Sequence, residues 1–126
     1  MPRPNALFLS SAVLLTTGLM AFPVRAQDKV AQQKELYDKH CKKCHAADGS
    51  GKKDGGEWLP VAKTLKLKKP EKLDILSADA KKLSDDEIVK MILEGKEKMK
   101  AMKDKVTQAE AKLLVEYTRH LQGQAK

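Results

Sequence analysis

His40-Cys41-Lys42-Lys43-Cys44-His45 is the stretch on which the reading of the whole chain turns. Two cysteines at this spacing share one face of a helical turn, so both thiols reach toward the same object, and His45 follows the second thiol at once. Cys-x-x-Cys-His is the attachment pattern of a c-type haem. Cys41 and Cys44 can meet the two vinyl groups on one porphyrin edge, and His45 is tethered beneath the ring, where Nε2 binds iron as the proximal ligand.

A Cys-x-x-Cys pair also occurs as a redox dithiol and as half of a zinc site. A thioredoxin-like dithiol calls for a preceding strand and βαβ units, whereas the residues before Cys41 carry a helical pattern. Zinc would need further ligands. With no third cysteine, only His40, His45, His120 and carboxylates remain, and Cys41, Cys44 and His45 together are cramped for a tetrahedral ion.

Outward from the motif, the N-terminal side divides at Ala26. Met1 to Ala26 reads as a secretory signal: Arg3 supplies the positive start, Leu7 to Phe22 is uncharged and mostly apolar, and Val24-Arg25-Ala26 offers small residues at the cleavage positions. The alternative is an uncleaved membrane anchor, because the uncharged run approaches the length of a span. Cleavage is expected, leaving a single domain over 27–126 that acts in the periplasm without a membrane attachment. Export agrees with the cysteines, since two thiols so spaced in an oxidising compartment would close on each other unless haem consumed them.

The exported part is short of the means to fill a core. Both phenylalanines, Phe8 and Phe22, lie in the signal, so Tyr37, Trp58 and Tyr117 are the large aromatics left. A buried porphyrin contributes on the order of 10 kcal/mol from apolar area removed from water, comparable to the roughly 5 to 15 kcal/mol that holds a small domain folded. The chain without haem is therefore expected to be largely unfolded. Near-UV circular dichroism of a Cys41→Ser/Cys44→Ser form checks this, and a native-like spectrum without haem would contradict it.

Charge narrows the partners. The formal charge is +8, from 25 Lys and Arg against 17 Asp and Glu; loss of the signal removes Arg3 and Arg25 and leaves the domain basic. Basic surfaces attract nucleic acid, anionic lipid or acidic proteins. Export removes the first, and the lysines lack the interleaved aromatics of single-strand binders.

Along the domain, Asp28 is expected to cap a first helix whose inner face carries Val30, Leu36, Tyr37, Cys41 and Cys44. Residues 46–56 form a loop with four glycines. Pro60 offers a free carbonyl that could hold the second ring nitrogen of His45, and Trp58 could pack on the porphyrin or donate to a propionate. A short helix is expected from Val61 to Leu67, then a brief segment opened by Pro70. Ser84-Asp85-Asp86-Glu87 and Thr107-Gln108-Ala109-Glu110 are two capping boxes. The first opens a helix that buries Ile88, Met91 and Ile92 and stops at Gly95; the second opens a final helix through Leu121, with Gly123 past its end. Leu113, Leu114, Tyr117 and Leu121 recur at helical spacing, and this stripe is expected to cross the first helix with Tyr117 near Tyr37. Strand signals are absent.

Between the last two helices, Gly95 to Val106 is polar apart from Met99, Ala101, Met102 and Val106. Thioether sulfur favours ferrous iron and raises the reduction potential, which suits an electron carrier. One of Met99 and Met102 is expected to close the coordination opposite His45; otherwise both fill gaps in the core.

The chain resembles the class I, monohaem cytochromes c of bacteria. The likeness rests on the attachment motif near the N-terminus, the Gly-rich stretch after it, the Leu83-Ser84-Asp85-Asp86-Glu87 helix start, Gly95-Lys96 followed by Lys98-Met99-Lys100-Ala101, and the final Leu114-Val115-Glu116-Tyr117 helix. It implies an all-α cytochrome c fold of three to five short helices around one covalent haem c, with crossing terminal helices. It also implies Met99 as sixth ligand, with Met102 as the alternative, and Pro60 as the residue holding His45. Lys100 stands where the family commonly has proline.

The function this implies is one-electron transfer without catalysis, by a monomer whose lysines dock acidic redox partners at the haem edge. Lys42, Lys43, Lys52 and Lys53 flank the attachment side; Lys96, Lys98, Lys100, Lys103 and Lys105 surround the methionines. A haem subunit dedicated to a periplasmic dehydrogenase or oxidase and a CO- or NO-binding sensor are the competing functions.

Overall fold

The computed structural model describes residues 24–54 and 56–124. The expected signal over 1–26 falls almost wholly outside them. Among the described residues six α-helices and one 3₁₀ turn follow in chain order: α1 (Val24–His40), α2 (Lys42–His45), α3 (Val61–Thr64), the 3₁₀ turn (Pro70–Leu73), α4 (Ala78–Lys82), α5 (Asp85–Glu94) and α6 (Gln108–Gln124). Among the described residues there are no strands, only isolated bridges at Lys52/Trp58 and Lys96/Met99. No described helix is long and apolar enough to cross a membrane.

Helices α1 and α6 pack across each other and α5 packs on α6. Their shared core holds Tyr37, Val89, Ile92, Val106, Ala111, Leu114, Val115, Tyr117 and Leu121. Tyr37 and Tyr117 meet as expected, ring centroids 5.1 Å apart and planes inclined at 52°. Such a tilted pair adds about 1 kcal/mol beyond the area it buries.

The face of α1 differs from the sequence reading at two points. The helix already runs from Val24, so Asp28 lies inside it and caps nothing. Val30 is 36 % exposed, while Gln33, one turn before Tyr37, is 4 % exposed. A buried amide needs a partner, and Gln33 finds it in Glu116 of α6, which Lys29 also pairs. The crossing of the two long helices is thus polar at one end and aromatic at the other.

Both capping boxes form. Ser84 Oγ accepts from Glu87 N while Glu87 Oε2 accepts from Ser84 N at 2.7 Å, and Thr107 and Glu110 repeat the exchange at the head of α6. Helix α5 buries Val89 and Ile92, with Ile88 and Met91 half-buried. Helix α6 runs through Gly123 to Gln124, and its stripe buries Ala111, Val115, Thr118 and Gln122 beside the expected leucines and tyrosine, with Leu113 half-buried. Helix α4, capped by Ser77, carries no strong signal in the sequence.

Arg119 joins α6 to the start of α5. Its guanidinium donates to Asp85 Oδ1 at 2.9 Å, to Leu83 O and to Gln122 Oε1 at 2.8 Å. Gln122 in turn donates to Ile75 O at 2.7 Å, which holds the irregular segment after the 3₁₀ turn against the helical frame.

Candidate functional site

Helix α1 does not end cleanly before the motif. Cys41 breaks its regularity with φ −116° and ψ −38°, yet Cys44 N and His45 N both bond to Cys41 O, so the chain stays helical through α2. This places Cys41, Cys44 and His45 on consecutive turns of one path. Both thiols are free, Cys41 buried and Cys44 half-buried. Burial, with Cys44 alongside, pushes the Cys41 thiol up to about 12.

His45 is half-buried, and its Nδ1 lies 2.7 Å from Leu73 O. Because a carbonyl only accepts, Nδ1 carries the proton and Nε2 keeps its lone pair. Burial holds the imidazole below the ordinary 6.5, against the opposing pull of the Leu73 carbonyl. A neutral ring with Nε2 as the free donor is the form that ligates iron.

Pro60, the residue expected to hold His45, does not do so. Its carbonyl accepts from Lys63 N and Thr64 N at 3.1 Å and from Thr64 Oγ1 at 3.3 Å. The reason is local: Pro60 is the N-cap of α3, and the first turn of that helix consumes its carbonyl. Leu73 takes the role instead. Gly51 makes that approach feasible, since a Cβ there would stand 2.6 Å from Leu73 Cβ and 2.9 Å from its carbonyl carbon.

Trp58 is half-buried. Lys52 Nζ sits 4.7 Å above its ring, and Trp58 with Leu59, Ala62, Leu67 and Pro70 lines a cleft of about 450 Å³ on the α3 side.

At the other end, Gly95 closes α5 with φ +77° and the loop turns back over it. A Cβ on Gly95 would lie 2.6 Å from Met99 O and 2.7 Å from Ala101 N, so only glycine admits this return. Lys96 and Met99 exchange backbone bonds of 2.9 Å, and Met102 N donates to Ile92 O at 3.0 Å. Met99 and Met102 are both half-buried against the core, together with Leu36, Ile75, Leu76, Ile88 and Leu93.

Tyr37 ties α1 to the exit from the motif. Its hydroxyl donates to Ala46 O at 2.8 Å, and burial raises the phenol well above its ordinary 10. Ala46 itself holds φ +62° and ψ 168°, a conformation nearly reserved for glycine. His120 is exposed, as expected, and stacks on Tyr117.

The donor set fits a porphyrin iron: two free thiols on one helical path, a neutral imidazole with Nε2 free, and half-buried aliphatic and thioether side chains. It does not fit a bare ion. Among the described residues no group of three or more His, Cys, Asp and Glu is placed to hold one.

Comparison with known proteins agrees with this chemistry. The family model described as cytochrome C oxidase, cbb3-type, subunit III matches residues 28–117. A solved structure, the KustC0563 c-type cytochrome, is 30% identical, with 71% of this chain and 95% of that one covered and a TM-score of 0.52. None of the curated proteins matches.

Proposed function

The chain belongs to the cytochrome c oxidase, cbb3-type, subunit III family and is a monohaem c-type cytochrome, and from that premise we propose that it is a periplasmic one-electron carrier with His45 and Met99 as axial ligands. Cys41 and Cys44 hold the haem by thioether links, and His45 Nε2 and Met99 Sδ bind its iron. The haem supplies one-electron exchange between ferrous and ferric iron. The observation that carries the reading is the His45 Nδ1 contact with Leu73 O, which fixes the tautomer and the plane of the proximal ring.

The protein's own part is to keep that site unchanged between oxidation states. The Leu73 carbonyl, which Gly51 lets approach, holds the imidazole, and the closed Lys96–Met99 turn holds the backbone that carries the thioether. Half-buried Leu36, Ile75, Ile88 and Leu93 limit access of water. With both axial positions filled from the chain, no substrate binds and selectivity rests on docking. Exposed Lys42 and Lys43 on α2, and Lys96, Lys98, Lys100, Lys103 and Lys105 around the methionines, give the site a positive rim that steers acidic partners.

The family's description favours a second reading, in which this domain is a dedicated subunit of a larger oxidase. Recovery separates the two. A carrier is expected as an independent monomer in the exported fraction, with a ferrous form that does not take up CO and electron-exchange rates that fall as salt rises. Recovery only within an oxidase or dehydrogenase complex supports the subunit, and ready CO binding supports a sensor.

A further inference from the structure

Two irregular segments supply what the site needs. Residues 70–76 present the Leu73 carbonyl to His45, and residues 95–106 present Met99. Among the described residues one polar link joins them: Lys72 Nζ donates to both carboxylate oxygens of Glu97, at 2.7 and 2.6 Å. Each partner sits beside a functional group. Lys72 immediately precedes Leu73, and Glu97 stands two residues before Met99.

The backbone aims these side chains at each other. Lys72 lies within the 3₁₀ turn opened by Pro70, whose fixed φ sets the direction of the segment. Glu97 holds φ +53°, a left-handed conformation uncommon outside glycine, at the corner of the turn that Lys96 and Met99 close. The pairing is also selective. Lys96 and Lys69 lie near enough to Glu97 to act on its charge, yet neither bonds to it, and among the described residues Lys98, Lys100, Lys103 and Lys105 enter no ion pair.

From this juxtaposition we infer that Lys72 and Glu97 are positioning residues, a clasp that holds the methionine loop against the segment supporting His45 and so sets how readily the sixth ligand is exchanged. The inference rests on Met99 as that ligand. Both side chains are about half exposed, so the clasp is screened by salt and its effect is modest, about two- to five-fold in an opening equilibrium.

The test uses the haem-loaded protein with Lys72→Met, Glu97→Gln, both together, and the charge swap Lys72→Glu/Glu97→Lys. Amide exchange at Lys96 and Met99 reads the loop directly, and imidazole binding to the ferric protein reads the ligand. At low salt each single substitution is expected to raise exchange and imidazole affinity two- to five-fold. The double substitution should do no more than either single one, the swap should return both readouts toward the parent, and high salt should erase the differences. Exchange unchanged in both single variants, or fully additive effects in the double, overturns the clasp. If Met99→Ala binds imidazole no better than the parent, Met99 is not the ligand; the exchange measurement still decides whether the clasp exists.

Discussion

Two helices in this molecule end in the same way, and each end leads to one of the two residues proposed as ligands, His45 and Met99. Helix α2 stops at Ala46, directly after His45, with φ +62° and ψ 168°; α5 stops at Gly95, four residues before Met99, with φ +77° and ψ 167°. In both, the capping N–H still bonds to the carbonyl four residues back. The residue type differs because the space differs. At Gly95 a side chain would strike the backbone of Met99 and Ala101, so glycine is required by contact as well as by conformation. Ala46 is buried and its carbonyl is held by Tyr37. There the chain tolerates a strained non-glycine because a neighbouring hydroxyl fixes the peptide.

The largest way to break this symmetry is Gly95→Ala. Left-handed strain and a contact with backbone that cannot retreat should together lower stability by about 3 kcal/mol, read by denaturant unfolding of the haem-loaded protein. Tyr37→Phe strikes the other end. Losing the hydroxyl that holds Ala46 O should reduce stability by about 1 kcal/mol, and an unchanged midpoint would mean that the peptide is fixed by the haem alone. Ala46→Gly should act with the opposite sign. Relief of about 2 kcal/mol of strain outweighs about 0.8 for the buried methyl and about 0.7 for added chain freedom, a net gain of about 0.5 kcal/mol.

The smallest effect concerns the start of α5 and depends on pH. The Ser84 N–H, then the Ser84 hydroxyl and nearby Lys96, hold the Glu87 carboxyl below its ordinary 4.5. A carboxylate depressed in the folded state stabilises above its unfolded value, and that contribution is lost as pH falls through the folded one. Stability should therefore decline on acidification below about pH 4.5, and Glu87→Ala should have a shallower acid limb. Parallel limbs would show that the capping box contributes nothing through its charge.

The same contrast explains what the sequence disclosed. Ser84/Glu87 and Thr107/Glu110 were legible because a capping box is local, with its partners three residues apart and chemically distinctive. The thiols and His45 were legible for the same reason. Leu73 was not, because its part is played by a backbone carbonyl that every residue possesses, and only the path of the loop against Gly51 selects it. Pro60 misled because a free carbonyl in sequence is spent once α3 forms behind it. Gln33 was hidden by its polarity, since its burial depends on Glu116, 83 residues away. Local chemistry fixed the helices and the attachment point; the two segments proposed to complete the site depend on long-range contacts.

The most direct measurement is the red absorption of the ferric protein, where a sulfur–iron bond gives a weak band, recorded for the parent, Met99→Ala and Met102→Ala. The account predicts a band in the parent that is lost in Met99→Ala and kept in Met102→Ala. A band that survives in Met99→Ala, or is missing from the parent, contradicts it.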